Sequence, residues 1–435
     1  MRRTAAVALT LSLATSVVTT GALTPGAATA QGSPAASPRD VMFVGNNWAG
    51  TATVVDARTH RTVRTLDMIP DRAERMTEIL THPDKLAFYL AIQQGVGEGH
   101  DQYTDDMFTT HDGRLVAVSR PSFADVVGID LASGAIVWRF PMQGYRADHM
   151  GVSPDGQRLL VSDSTANKVH ELDILTGAKL REFASGDTPH ENNYTRDGER
   201  IFHASIGTVY TPVDRTELGT AYDTAKGERV FQIVRNSDMQ IESRWDMGKE
   251  LAEAGYPDMS SAVRPMAVAP DERFVYLQVS FFHGFVEFDT QAPDADPTQT
   301  YDGEPAVGAV RRVVPLPDRT FGMPREQYVL DSAHHGLAID EAGTTLCAAG
   351  TMSDYAAIVD RESLRATIVD VGAKPYWATN GAVGDECWVS VSGEDKVVVI
   401  DYSSARTIAT VPVGDHPQRV RAGFVARDVL RSWGR

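Results

Sequence analysis

One short unit recurs along almost the whole chain, and this repetition constrains the fold more than any other feature. Its clearest copy runs from Asp148 to Phe183. The copy contains four stretches with strand character: an apolar one ending in a Ser-Pro-Asp-Gly turn, a second apolar one, and two alternating ones joined by a tight turn. One sheet of about 40 residues cannot bury both of its faces, so it needs copies of itself stacked alongside.

The hairpin between the third and fourth stretches is the easiest part of the unit to count. In the clearest copies an Asp opens the turn and a Gly ends it, as in Asp130 to Gly134 and Asp173 to Gly177. The carboxylate can accept hydrogen bonds from the turn backbone, and glycine tolerates a positive φ. The hairpin recurs seven times, so the sequence predicts seven sheets.

The two ends of the repeated region complement each other. The first copy begins at Val41 with no opening strand, whereas the last complete copy is followed by Val413 to Val420, which has the character of an opening strand. If that strand completes the first sheet, the ring closes and no edge is left unpaired. We therefore predict an all-β fold, a seven-bladed β-propeller with four-stranded blades whose first blade is closed by the C-terminal strand.

Three phrases in the sequence carry a family resemblance. Val413 to Pro417, Val152 to Gly156 and Val268 to Glu272 resemble the repeat of the YVTN-type β-propellers, which runs approximately V-G-x-x-P-x-x-V-A-V-S-P-D-G-x-x-L-Y-V. The resemblance covers most of residues 41–425. It implies the propeller fold and is nearly silent on activity, because such propellers include binding proteins, surface-layer components and enzymes.

The regions flanking the repeats give the expected organisation. Residues 1–30 have a basic start, an apolar middle and a small-residue end, which is typical of a signal peptide. We predict a flexible leader at 31–40, the propeller at 41–425 and a C-terminal tail at 426–435. Helix-forming composition predicts insertions near 71–93 and 247–255. The protein is therefore expected to be secreted or held in the bacterial cell envelope.

Charge and hydropathy narrow the classes of partner. The formal net charge is −17, and it becomes −19 when the two arginines of the signal peptide are removed. An acidic surface repels phosphate backbones and anionic lipid, so nucleic-acid and membrane-surface binding are not expected, whereas cationic ligands or metal ions are compatible. After the signal peptide no stretch approaches the roughly 20 apolar residues of a membrane-spanning helix.

The only two cysteines, Cys347 and Cys387, fall on the second strands of neighbouring blades when the sixth and seventh copies are aligned. A disulfide between them would fasten two blades together and is compatible with export. The alternative is two buried thiols that point to different faces because they are one position out of register.

The residues at the start of each first strand are candidates for a site, because that part of a propeller faces the mouth of the channel. Aligning the seven copies places two rings of side chains there. The outer ring consists of Asp105, Asp148, His190, Arg264, His335, Tyr376 and Gln418, and the ring one position further on consists of Asp106, His149, Glu191, Pro265, Gly336, Trp377 and Arg419.

Three interpretations of these rings remain open. The imidazoles of His149, His190 and His335, with His334 adjoining, suit a divalent transition metal such as zinc, iron or copper. Alternatively, the same groups hydrogen-bond one another in a water-filled channel. The third is an organic-ligand pocket, in which Arg264 or Arg419 binds a carboxylate, Tyr376 and Trp377 form an aromatic wall and a histidine is an acid or base.

The leading functional hypothesis is an exported propeller that binds a small ligand or metal ion at the channel mouth, with Asp105, Asp148, Tyr376, Trp377 and Arg419 as ligand-binding residues. The competing hypothesis is a metal-dependent oxidoreductase or a lactonase- or lyase-like enzyme. Its candidate catalytic residues are His149, His190, Glu191, His335 and Arg264. A third hypothesis is a scaffold that presents its rim to a protein partner.

Overall fold

The computed structural model describes residues 37–208, 225–292, 300–301, 304–305 and 308–434. Within these ranges the chain forms seven four-stranded antiparallel sheets, which are the blades of a β-propeller. The predicted fold class is therefore confirmed.

The strands of each blade follow in order from the innermost to the outermost. Blade 1 consists of Pro417–Val425, Arg39–Asn46, Thr51–Asp56 and Thr62–Asp67, and blade 2 consists of Met107–Thr109, Leu115–Arg120, Asp125–Asp130 and Ile136–Pro141. Blade 3 consists of Ala147–Val152, Arg158–Asp163, Lys168–Asp173 and Lys179–Ala184. Blade 4 consists of Pro189–Tyr194, Arg200–Ser205, Val230–Arg235 and Gln240–Asp246. Blade 5 consists of Val263–Val268, Phe274–Val279, Gly284–Asp289 and Val310–Pro315. Blade 6 consists of Leu337–Ile339, Thr345–Gly350, Tyr355–Asp360 and Ala366–Asp370. Blade 7 consists of Pro375–Asn380, Glu386–Val391, Lys396–Asp401 and Arg406–Pro412. A separate pair of short strands, Thr300–Tyr301 and Glu304–Pro305, precedes the last strand of blade 5.

Blade 1 closes the ring by joining the two ends of the repeated region. Its innermost strand, Pro417–Val425, pairs antiparallel with Arg39–Asn46, and Val420 lies opposite Val44. The first blade is thus completed by the C-terminal strand, as the sequence predicts. This pairing satisfies edge groups that would otherwise be open to another chain.

The recurrent hairpin has a local cause in its Asp residues. In blade 2 the Asp130 carboxylate accepts hydrogen bonds from the Ser133 backbone N–H at 2.8 Å and from its hydroxyl at 2.7 Å. Asp173 accepts the same two bonds from Thr176, both at 2.8 Å. Gly134 and Gly177 end these turns at φ of 74° and 69°, in the left-handed region that favours glycine.

The core lies between neighbouring blades rather than inside any one of them. Val54 of blade 1 and Val118 of blade 2, for example, are fully buried in the same apolar cluster. Each sheet covers its neighbour, which is the arrangement expected of units that cannot bury both faces alone.

Four α-helices that lie wholly within the described residues stand outside the blades: α1 (Arg72–Thr81), α2 (Pro83–Gly95), α3 (Met247–Glu253) and α4 (Arg427–Ser432). None of them has the length and apolar character needed to cross a membrane. The fully buried Arg120 of blade 2 pairs with Asp71 just before α1 and fixes that end of the insertion. The C-terminal tail forms α4, whose Val429 and Leu430 are buried in the core cluster shared by blades 1 and 2.

Cys347 and Cys387 form a disulfide between the second strands of blades 6 and 7, with Cα atoms 6.5 Å apart. Both residues are fully buried in the apolar cluster between these blades. The bond therefore fastens two adjacent blades across their packed faces.

We expect the double substitution Cys347→Ala with Cys387→Ala to lower the free energy of unfolding by about 2–4 kcal/mol, because the bond closes a loop with a sequence separation of 40. Urea denaturation monitored by circular dichroism measures the loss. A reducing agent should reproduce it in the wild-type protein and have no effect on the variant. Equal stability of the two proteins would contradict a stabilising role for the bond.

Candidate functional site

The first strands bring most of the aligned residues around one cavity of about 370 Å³ at the channel mouth. The candidate residues that line it are Asp105, Asp148, His149, His190, Arg264, His335, Tyr376, Gln418 and Arg419. Glu191 and Trp377 instead line a second cavity of about 540 Å³ at the opposite end of the first strands. The channel thus has two cavities, and the sequence alignment did not distinguish them.

Breaks in strand pairing explain how two successive residues of one blade reach the channel. The register between the first two strands shifts between Ala147 and Met150 in blade 3, and between Pro375 and Ala378 in blade 7. Such irregularities redirect side chains that regular alternation would point to opposite faces. Asp148 and His149 lie within the first shift.

Serines on the second strands hold several of these irregular segments. The hydroxyl of Ser119 accepts a hydrogen bond from Asp106 N at 3.0 Å, and that of Ser390 accepts one from Trp377 N at 3.0 Å. Ser390 also donates to the carbonyl of Gln418 in the next blade at 2.6 Å. These serines recur at the ends of apolar strands, and that recurrence is the sequence signal of their role.

Three histidines come together in the cavity from three different blades. The ring centroids of His149 and His190 are 3.8 Å apart, and His335 lies 6.3 Å from the first and 6.1 Å from the second. All three are at most 3% exposed.

Burial is the main reason why these three imidazoles are neutral. It lowers the pKa of each well below the usual value, assisted by the positive charge of Arg419 near His149 and His335 and of Arg264 near His190. Neutral imidazole is the form that binds metal ions.

His149 has a defined tautomer because both of its ring nitrogens have partners. Its Nε2 is in contact with Nη2 of Arg419, a group that can only donate, so Nε2 must accept. The proton is therefore on Nδ1, which donates to Oε2 of Glu191 at 2.5 Å.

Asp148 completes the only group in the described chain that has metal-ligand geometry. One ligand atom from each of Asp148, His149 and His190 lies within 4.8 Å of the others. In the described structure, Asp148 Oδ1 and His190 Nδ1 are buried without a hydrogen-bond partner. The other Asp148 oxygen accepts from Ser164 Oγ at 3.0 Å and pairs with Arg146 Nη1 at 3.0 Å, which fixes the carboxylate.

Two further aspartates lie at the start of blade 2 in different environments. Burial raises the pKa of Asp105 to about 6, even though its Oδ1 lies 3.5 Å from Arg419 Nη2. Burial acts in the same direction on Asp106, but a bidentate pair with Arg421, with both N–O distances at 2.7 Å, outweighs it and lowers the pKa of that carboxyl. Asp106 is thus fully engaged, whereas Asp105 retains a buried oxygen, Oδ2, with no partner in the described residues.

The two aromatic residues of blade 7 support other site residues. Tyr376 stacks on His335 with centroids 4.1 Å apart and planes 19° apart, and burial raises its pKa to about 12. Two guanidinium groups lie over the ring of Trp377. That of Arg419 is 4.3 Å from the ring centroid, and that of Arg421 is 4.8 Å from it. The rings therefore fix a histidine and two arginines, which differs from the expected aromatic wall.

His334 is adjacent to His335 in sequence but belongs to a different cluster. Its Nε2 contacts the hydroxyl of Tyr355 at 3.0 Å, and its ring centroid lies 5.8 Å from that of His283. It does not line the cavity in the described structure. The group of Asp148, His149 and His190 therefore does not include His334. His335 lines the cavity next to that group.

Two connections between blades cover the cavity. The end of α2 contributes Gly95 and Val96, and the connection before blade 6 contributes Tyr328, Leu330 and Asp331. We call these two segments, residues 91–96 and 328–331, the roof. These connections have no equivalents in the other copies of the repeat, so no alignment could position them.

The segment after α2 is fastened to the ring by two contacts. Glu98 pairs with Lys374 of the segment before blade 7 at 3.0 Å. The ring of Trp48 is stacked on His100 and on His416, with both centroid distances at 3.7 Å.

Fold and site together define a seven-bladed β-propeller with a buried cluster of histidine and carboxylate at one mouth of its channel. No family model matches the sequence, and no curated protein matches it. Among solved structures the chain is similar to one described as Kuenenia stuttgartiensis hydrazine synthase. That match has a TM-score of 0.55 at 15% identity and covers 86% of this chain and 99% of the other. At this identity the similarity shows the fold alone.

Glu191 gives the site a measurable pH dependence. Burial raises its pKa from 4.5 to about 7, against the opposing charge of Arg421. Because the folded protein holds this proton more tightly than the unfolded chain, the stabilisation is fully present below pH 4.5 and is lost as the pH rises through 7.

We therefore expect the wild type to lose stability relative to Glu191→Gln as the pH rises. The difference between their unfolding free energies should change by on the order of 2 kcal/mol between roughly pH 5 and pH 8. Urea denaturation in the presence of a chelator provides the measurement. Glu199→Gln, at an exposed position, is the matched control and should follow the wild type. Parallel curves for wild type and Glu191→Gln would contradict the raised pKa.

Proposed function

We propose that this protein is an exported β-propeller, built from YVTN-type repeats, that binds a divalent transition metal ion at one mouth of its channel. The observation that carries the proposal is the convergence of Asp148, His149 and His190, whose ligand atoms lie within 4.8 Å of one another. Two imidazoles and a carboxylate suit zinc and similar ions.

The surroundings of His149 support the proposal. Metal-bound histidines generally donate their other ring N–H to a carboxylate or carbonyl, which orients the ring and makes the ligand nitrogen more basic. The Nδ1–H of His149 makes this bond to Glu191, so Nε2 is the nitrogen that would bind the ion.

The number of ligands also bears on what the bound ion would do. Three protein ligands leave a coordination position open, and a cavity of about 370 Å³ lies next to them. Closed four-ligand sites are typical of structural ions, whereas three ligands and an open position are typical of ions that bind an external molecule. The proposed ion would therefore hold a small ligand, in agreement with the leading hypothesis.

A metal-dependent enzyme is the second candidate function. It is favoured by the buried hydrogen-bonded pair of His149 and Glu191, in which His149 is a proposed ligand and Glu191, with a pKa of about 7, faces the second cavity. A carboxyl that titrates near neutral pH is suited to proton transfer. Oxidoreductase and lactonase- or lyase-like reactions are both compatible with this arrangement.

Elemental analysis of protein produced without a histidine tag or chelator tests the metal proposal. We expect about one transition-metal ion per chain in the wild type. Asp148→Asn and His190→Gln should each lose most of it, because each change removes one of three ligands. His334→Gln is the matched control, since it alters a buried histidine outside the cavity and should retain the metal.

Circular dichroism must show that each variant is folded before its metal content is compared. As a second readout, added Zn²⁺ should raise the melting temperature of wild type and His334→Gln, because an ion that binds only the folded state stabilises it. Equal metal content and equal Zn²⁺ response in folded His190→Gln and wild type would overturn the site assignment.

A further inference from the structure

The wall of the mouth cavity beyond the three proposed ligands contains buried donor atoms that lack acceptors. In the described structure these are Nε and Nη1 of Arg419, Nε2 of Gln418 and Nε2 of Gln102. All three residues line the cavity and are at most 4% exposed. The amide oxygen of Gln418 already accepts from Asn47 Nδ2 at 3.0 Å, so the group turned toward the cavity is the NH₂.

Buried donors without acceptors are costly, because each has lost its bonds to water. Within the described residues, these four donor atoms outnumber the one unpaired carboxylate oxygen of the same wall, Oδ2 of Asp105, which favours an acceptor-rich molecule as the missing partner. Guanidinium groups in particular match the geometry of carboxylates and other oxyanions.

The charges around the cavity lead to the same class of ligand. Within the described residues, its charged lining consists of three aspartates and three arginines, namely Asp105, Asp148, Asp331, Arg146, Arg264 and Arg419. These charges cancel, so a divalent ion on Asp148, His149 and His190 would leave an excess of positive charge. A buried anion would neutralise that excess.

Arg419 connects the two binding events. Its Nη2 contacts Nε2 of His149, and the lone pair of that nitrogen is the one that the metal ion would bind. Metal binding must therefore displace this N–H from its acceptor, and an anion in the cavity would give it a new one.

The aromatic ring that lines the cavity, Tyr376, and the nearby ring of Trp377 both have partners already, which argues for a small polar ligand rather than a flat aromatic one. Tyr376 is stacked on His335, and Trp377 carries the guanidinium of Arg419. A volume of about 370 Å³ is near the lower end of small-molecule sites.

Resting on the proposed metal site, we infer that its external ligand is a small oxyanion held by Arg419, and that metal and anion bind with positive coupling. The oxyanion is either the carboxylate of a small organic acid or an inorganic ion. The two sources share the same contacts with the guanidinium and differ in size.

Calorimetric titration of the full mature chain with Co²⁺ tests this inference, without anion and with saturating succinate or sulfate. Coupling between sites is typically 5–150-fold, so we expect about tenfold tighter Co²⁺ binding with the favoured anion. A larger effect of succinate identifies an organic acid as the source, and a larger effect of sulfate identifies an inorganic ion.

Arg419→Gln separates the anion from the metal. This variant should bind Co²⁺ at least as tightly as the wild type without anion, since His149 has lost its competitor, and should show no enhancement by either anion. Arg58→Gln, a change at an exposed arginine of blade 1, is the control and should behave as the wild type.

The two proposals fail in different ways. If Co²⁺ binds the wild type and neither anion changes its affinity, the coupled anion is overturned and the metal site stands. If Co²⁺ does not bind the folded wild type, the proposed function is overturned and this inference with it. Full enhancement in folded Arg419→Gln would overturn the role given to Arg419.

Discussion

The antiparallel pairing of Pro417–Val425 with Arg39–Asn46 is the constraint on which the rest of the structure depends. It turns a row of similar sheets into a ring, and only a ring has a central channel. Arg419 on the closing strand contacts His149, which is 270 positions earlier in the chain. The site therefore belongs to no single blade, and it exists only when the ring is closed. Local fraying of the closing strand would disturb the site before it disturbed most of the blades.

The channel interior contains charged side chains that are costly to bury. They are completely paired at one level of the channel and incompletely paired at the mouth. Toward the inner part, Asp106 and Arg421 form a complete bidentate pair, as expected where buried charges are structural. At the mouth, Asp105 Oδ2 and Arg419 Nη1 lack partners in the described chain although both residues are at most 3% exposed. Complete pairing at one level and incomplete pairing at the next is difficult to explain by stability alone. The contrast supports the proposal that the mouth binds a ligand.

The fold was predictable because its determinants are local and repeated. Each hairpin is specified by its own Asp and turn residues, and counting the copies gave the number of blades. Closure followed from the strand missing before Val41. The alignment of first strands also identified nine of the residues that line the mouth cavity, since equivalent positions in a ring face the same axis.

What could not be predicted depends on single-residue shifts and on segments that do not repeat. His149 lines the mouth cavity, whereas Glu191, at the equivalent position of the next blade, lines the other cavity. His334 and His335 are adjacent, yet they belong to different clusters. The same one-position question left the pairing of Cys347 and Cys387 open. The roof has no counterpart in the other copies, so its position depends on tertiary contacts alone.

The roof has a consequence for the time a molecule spends inside. Asp105, His190 and His335 beneath it are at most 3% exposed, so a molecule bound to them would lie below the protein surface, against the roof. A movement of the segment after α2 would separate Glu98 from Lys374 and unstack His100 from Trp48. Were that movement part of ligand exchange, arrival and departure would be slowed together. The dwell time of a bound molecule would then reflect contacts made outside the channel as much as those made within it.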